Sequence, residues 1–153
     1  MNAEYINPFI QASNKILKEV VNINTSIGEV YIKPSPYASG SLAIIIGLAG
    51  DIRGQVIMSM NEGVGKDIAS TMMGAQIEQL DELSKSAITE VANMILGNTA
   101  TIFSEKGIDV SITPPSLLTG DNMAISTPKT RVICVPLEIE SGGKIELDVA
   151  LVQ

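Results

Sequence analysis

Histidine is absent from all 153 positions, and so is tryptophan. Without an imidazole the chain has no histidine metal ligand, no histidine general base and no phosphohistidine. Cys134 is the single cysteine, so no intrachain disulfide can form. It lies in the apolar run from Arg131 to Leu137 and reads as a small buried hydrophobe. Aromatic residues are 3% of the chain against 45% apolar, so Ile, Val, Leu, Ala and Met must build the core. Positive charge is scarce as well. Ten Lys and Arg face seventeen Asp and Glu, a net charge of −7. That balance argues against nucleic acid, whose phosphates need clustered cations, and against an anionic membrane surface. It leaves room for a protein partner that presents Lys or Arg. The longest apolar stretch, residues 42–50, is too short to span a bilayer. The opening Met-Asn-Ala-Glu has no basic segment followed by an apolar one, so no signal peptide is expected and a cytoplasmic location is the default.

What is present divides into helix and strand signals. Asn7 followed by Pro8 reads as an N-cap and first turn, with Ile10, Ile16, Leu17, Val20 and Val21 at helical spacing to about Asn24. Glu29 to Ile32 alternates as a strand, and Pro34, Pro36 and Gly40 punctuate the turn after it. Leu42 to Leu48 is continuously apolar, Asp51 to Gly54 reads as a hairpin turn, and Gln55 to Met60 alternates again. Asn61 can cap a helix that Gly74 stops. Asp81 can cap a longer one that ends at Lys106, before Gly107. Strands follow at 108–112, 131–139 and 144–152, with 113–127 as a long loop or crossover. Val30, Ile32 and Pro34 match Val110, Ile112 and Pro114 at one offset, which suggests a duplication. The expected fold is α/β (α+β): a two-layer sandwich with a pseudo-twofold repeat of helix plus three strands, in one domain over 1–153 with the long helix packed on the sheet.

The long helix carries the chemistry. At about 100° per residue, Ser86, Glu90, Asn93 and Gly97 share one narrow stripe. Leu80, Leu83, Ala87, Val91 and Met94 fall on another face and are expected in the core. A carboxylate and an amide one turn apart can position a water, because Asn offers both an acceptor and a donor. Taken alone, the spacing is weak: Glu4–Asn7 and Glu19–Asn22 repeat it, and polar residues at i, i+3 usually mark a solvated face. Gly63-Val-Gly-Lys66 has something of a phosphate loop, but Asp67 stands where Ser or Thr is required and the preceding glycine spacing fails.

Beyond the bare spacing, Ser86-x-x-x-Glu90-x-x-Asn93-x-Ile95-x-Gly97-Asn98 resembles the signature helix of the CheC/CheX/FliY phosphatases. Ile112-Thr-Pro-Pro-Ser with the later Gly120 resembles the crossover that follows it. One complete signature, in the second half, resembles the CheX branch, whereas CheC typically carries two. The resemblance implies a chemotaxis phosphatase that hydrolyses the aspartyl-phosphate of a CheY-type receiver. Asn93 would orient the attacking water, Glu90 would contact the receiver lysine, and Ser86 and Gly97 would belong to the contact surface. No phospho-enzyme would form. The divalent metal would be the receiver's, so neither cofactor nor metal is expected on this chain. A homodimer is implied too, with the last strand as a possible unpaired edge. In the first half, one alignment sets Ile10 and Ser13 opposite Glu90 and Asn93. A shift of one residue sets Gln11 and Asn14 there, as a vestigial site. The rival reading is a non-catalytic module that docks on a signalling protein.

Overall fold

The computed structural model describes residues 3–127 and 131–152. Three helices lie on one face of a mainly antiparallel sheet. Helix α1 (Ala3–Val21) is followed by strands β1 (Thr25–Ile27), β2 (Tyr31–Lys33), β3 (Tyr37–Ala38), β4 (Leu42–Gly50) and β5 (Gly54–Met60). Helices α2 (Glu62–Met73) and α3 (Glu82–Glu105) come next. Strands β6 (Val110–Ile112), β7 (Ser116–Thr119), β8 (Ala124–Ile125), β9 (Val132–Ile139) and β10 (Lys144–Leu151) complete the chain.

The sheet runs β1-β9-β10-β5-β4-β6, with β2 also against β9 and β7 also against β4. That order is a palindrome. Exchanging β1 and β2 with β6 and β7, β9 with β4, and β10 with β5 maps it onto itself, as a duplicated unit would. Each half carries five strands rather than three, and the extra ones are only two to four residues long. The first strand signal is also displaced. Gly28 to Val30 form the connection, and pairing with β9 occurs on either side of it. Strand β10 is no edge: it pairs with β9 on one side and β5 on the other over almost its whole length. Central placement between two hairpins explains its near-complete burial, and the exposed edges belong to the short strands.

Alternation along the central strands sorts two faces. Leu42, Ile44 and Ile46 of β4, Val56 and Met58 of β5, and Leu147 and Val149 of β10 pack under the helices. The opposite face is covered in part by the two-stranded pair β3–β8, where Tyr37 and Ile125 meet Val132 and Ala150. It also holds a buried charge cluster. Lys33 Nζ lies 3.1 Å from Asp148 Oδ2 and 3.5 Å from Glu146 Oε1, and 4.5 Å from the centre of the Tyr37 ring. Cys134 is buried, as expected, and its thiol donates to Glu146 Oε2 at 3.3 Å. Burial, and then the Asp148 carboxylate, push that thiol well above its ordinary range, which disfavours the nucleophilic thiolate.

Helix α1 begins at Ala3, one turn before the expected cap, and Pro8 lies inside it. Proline cannot donate to the carbonyl four residues back. The buried Ile6 and Phe9 outweigh that loss, with the Phe9 ring edge-on to Phe103 of α3 at 5.7 Å. Asn22 ends the helix in a left-handed conformation, while Ile23 N donates to Leu17 O at 2.8 Å. Asn22 thus serves as a terminator, and the Glu19–Asn22 spacing is fortuitous. In α2, Asn61 Oδ1 accepts from Val64 N and Gly74 is the left-handed C-cap, both as read from sequence. A side chain at Gly65 would collide with Leu42, and the Gly65 amide donates to Asn61 O. The glycine lets α2 lie close on β4, so Gly63 to Lys66 is a packing motif and its amide at Gly65 is not free to cradle a phosphate.

Candidate functional site

Helix α3 is anchored before it presents anything. Its first turn is locked by a capping box: Ser84 N donates to Asp81 Oδ1 and Asp81 N donates to Ser84 Oγ, each at 2.8 Å. The hydrogen bond from the Ser84 backbone, followed by that from its hydroxyl, holds the Asp81 carboxyl below its ordinary range. The buried face then runs Ser84, Ile88, Val91, Ala92, Ile95, Leu96, Thr99 and Phe103, packed between α1, α2 and the sheet. This face is rotated from the expected one. Val91 is buried as expected, but Leu80, Ala87 and Met94 are only partly buried and Leu83 is 66% exposed. The rotation follows the packing of Ile88, Ala92, Ile95 and Leu96 into the core, which leaves Leu83, seven residues before Glu90, on the outward side.

The outward stripe matches the sequence reading. Ser86 and Glu90 are exposed, and Asn93 and Gly97 are half-buried. Among the described residues, neither Glu90 nor Asn93 has a hydrogen bond or ion pair, so both polar groups are free to meet something else. The space above Gly97 is open: a Cβ there would meet nothing within 4 Å outside its own helix.

Beside the stripe runs a groove of about 340 Å³ between α3 and β7, lined by Lys85, Ser86, Glu90, Pro115 and Leu117 among others. Its far wall is the segment read from sequence only as a loop or crossover. Thr113 fastens that segment. Its N–H donates to Gly47 O at 3.0 Å, and its Oγ1 accepts from Gly47 N at 2.8 Å. Strand β7 then pairs with β4. Lys85, Pro115 and Leu117 are wall residues that the helical pattern of the sequence does not reveal. The double proline was the available signal, because it forces extended backbone just after β6.

The first half has no equivalent pair. Ser13 is buried and donates to Phe9 O, which disposes of the Ile10–Ser13 alignment as a surface site. The shifted alignment puts Gln11 and Asn14 on the outer side, but Asn14 Oδ1 accepts from Thr25 Oγ1 at 2.9 Å and is engaged in holding β1. Among the described residues no group of three or more Cys, Asp or Glu is placed to hold a metal ion. No helix among the described residues is long and apolar enough to cross a membrane.

A palindromic antiparallel sheet with helices on one face is the fold of the CheC-like structures. A CheC-like superfamily protein from a Shewanella species shares the fold with a TM-score of 0.90, at 24% identity over 100% of both chains. The profile of the chemotaxis phosphatase CheX family matches residues 42–138, and the chain belongs to that family. It is 29% identical over 152 residues to the CheY-P phosphatase CheX of Thermotoga maritima, covering 99% of this chain and 97% of that one. It also resembles CheX in the CheX-CheY-BeF3-Mg complex from Borrelia burgdorferi. There the identity is 30% over 97% of this chain and 98% of that one, with a TM-score of 0.82.

Proposed function

We propose that this protein is a phosphatase that hydrolyses the aspartyl-phosphate of a CheY-type receiver, as its Thermotoga relative is named for doing. The observation that carries the reading is the α3 stripe: an exposed Glu90 and a half-buried Asn93, one turn apart, unpaired among the described residues and bordered by a groove. Phosphoryl transfer needs little covalent help from a protein. Placement of the nucleophile and electrostatic support supply most of the acceleration. Asn93 accepts a hydrogen bond from the attacking water, and its amide N–H₂ is free to meet a phosphoryl oxygen. Glu90 faces a lysine on the receiver. Ser86 and Gly97 flank the pair and form part of the contact. The metal that neutralises the phosphoryl group is the receiver's, and no group of three or more Cys, Asp or Glu among the described residues of this chain is placed to hold one. The chain acts as one domain over 1–153, in the cytoplasm, where receiver domains signal. The first-half residues Gln11 and Asn14 take no part.

The decisive measurement mixes the protein with phosphorylated CheY-type receivers encoded by the same genome and follows loss of label. Accelerated dephosphorylation of one receiver is the expected result. Tight binding with no acceleration would favour a non-catalytic docking module. Self-association into a homodimer belongs to the same proposal. Its support is the exposed β1–β2 edge, where Ile27, Tyr31 and Ile32 are each more than 40% accessible. A sedimentation mass of one subunit at micromolar concentration would remove it.

Gly97 makes a separate prediction. Glycine inside a helix costs about 0.5–1 kcal/mol relative to alanine. With open space above the position, Gly97→Ala should raise the thermal midpoint by a few degrees. It should also weaken receiver binding, because the added methyl stands where the partner's backbone approaches. A more stable variant with unchanged affinity would show that the contact does not reach this turn.

A further inference from the structure

Leu83 has the most exposed large apolar side chain of the described residues, at 66%, on a protein whose other leucines and isoleucines mostly line the core. It does not pack with Ile88, Val91 and Ile95 beneath the helix. Its position on the helix surface is informative. Glu90 is seven residues further on, so it lies within about 20° of Leu83 around the axis and about 10 Å along it. Leu83, Ser86, Glu90, Asn93 and Gly97 therefore form one continuous outward strip. The capping box fixes the backbone of the first turn of α3, so presenting Leu83 to a partner costs little backbone ordering. The groove between α3 and β7 opens alongside, and its walls combine the apolar Pro115 and Leu117 with the charged Glu82, Lys85 and Glu90.

We infer that Leu83 is an apolar anchor of the receiver contact. It seats against an apolar patch on the CheY-type partner about two helical turns from the lysine that Glu90 meets. This rests on the proposed phosphatase reading and extends it. Glu90 and Asn93 serve the phosphorylated centre, and Leu83 supplies affinity outside it. Interfaces commonly draw most of their affinity from a few well-packed residues, and Leu83 is the large apolar candidate on this strip. The partner is a receiver rather than a second copy of this chain because the anchor is continuous with the strip that the chemistry requires to face the receiver.

The test is a single-turnover titration of phosphorylated receiver with wild type, Leu83→Ala, Leu83→Asp and Leu83→Met. Leu83→Ala should raise the half-saturating phosphatase concentration about 10-fold and Leu83→Asp about 100-fold, while Leu83→Met stays near wild type. The rate at saturation should remain within about twofold for all three, since an anchor binds ground state and transition state alike. Thermal midpoints should be nearly unchanged, because the side chain is mostly in water. Half-saturation unmoved in Leu83→Ala and Leu83→Asp, with an active wild type, would overturn this inference and leave the phosphatase reading intact. A fall in subunit assembly by sedimentation in Leu83→Asp, with receiver affinity unchanged, would overturn it too, assigning the side chain to a contact between copies. A wild type that neither binds nor dephosphorylates any receiver would overturn both.

Discussion

Asn93→Ala is expected to lower the single-turnover rate of receiver dephosphorylation at saturating phosphatase by about 10²-fold or more. The half-buried Asn93 amide on the α3 stripe has no hydrogen-bond partner among the described residues. An amide orients a water through its oxygen without removing the proton, and nothing else on the strip can do so in its place: Ser86 is two turns away, and the proposed mechanism assigns Glu90 to the receiver lysine. Alanine keeps the helix, being its best former, so the loss should be confined to the chemical step. Affinity for a receiver activated with beryllofluoride should change little. Glu90→Ala should differ in kind. A carboxylate meeting a lysine in a closed contact makes a charge-assisted hydrogen bond, so both affinity and turnover should fall. Near wild-type turnover in Asn93→Ala would refute the water-positioning role.

Lys33→Met should produce the largest loss of stability, about 3–5 kcal/mol, the usual cost of stranding one charge of a buried pair. Lys33 is 6% exposed at its side chain and Asp148 fully buried, and the two are joined at 3.1 Å. Glu146 keeps further support from Lys144, the Tyr31 hydroxyl and the Cys134 thiol, but Asp148 has Lys33 as its only ion-pair partner among the described residues. For a domain of this size the midpoint should fall by about 10 °C. The pH dependence identifies the cause. Burial already pushes the Asp148 carboxyl above its ordinary range, partly opposed by Lys33. Without Lys33 that rise grows. A carboxyl whose folded pKa exceeds its unfolded value favours the folded state in acid, and this advantage is lost as pH rises through the folded pKa. The deficit of Lys33→Met should therefore be greatest at neutral pH and shrink towards pH 4. Adding Asp148→Asn should recover much of it at pH 7. A midpoint deficit that is independent of pH would show that lost packing of the lysine stem, not the stranded carboxylate, is responsible.

Local signals were reliable where a few adjacent residues decide the outcome. Asn61 and Gly74 bound α2, Asp81 and Lys106 bound α3, and the hairpin around Asp51 all follow from capping and turn chemistry within four residues. The strip of Ser86, Glu90, Asn93 and Gly97 was legible for the same reason, since helical geometry alone places them together. Errors arose where distant contacts compete with local preference. Pro8 suggested a helix start, but burial of Ile6 and Phe9 against α3 extends the helix past it. Leu83 reads as core by hydrophobicity, but the packing of Ile88, Ala92, Ile95 and Leu96 against the rest of the fold leaves it on the outward side, in water.

Sequence by itself determined the excluded chemistries, the helix caps, the carboxylate and amide on one face, and the resemblance that relates the chain to the CheX family. Only the tertiary structure decided that the last strand is central, that the two halves form a palindromic sheet, that β7 builds the wall of a groove beside Glu90, and that Lys33 lies buried against Asp148. The physical reason is range. Caps and helical faces depend on residues within one or two turns, whose mutual positions the backbone fixes. Strand order and buried charge pairs join residues more than a hundred positions apart, as Lys33 and Asp148 are, and only the packing of the whole chain brings them into contact.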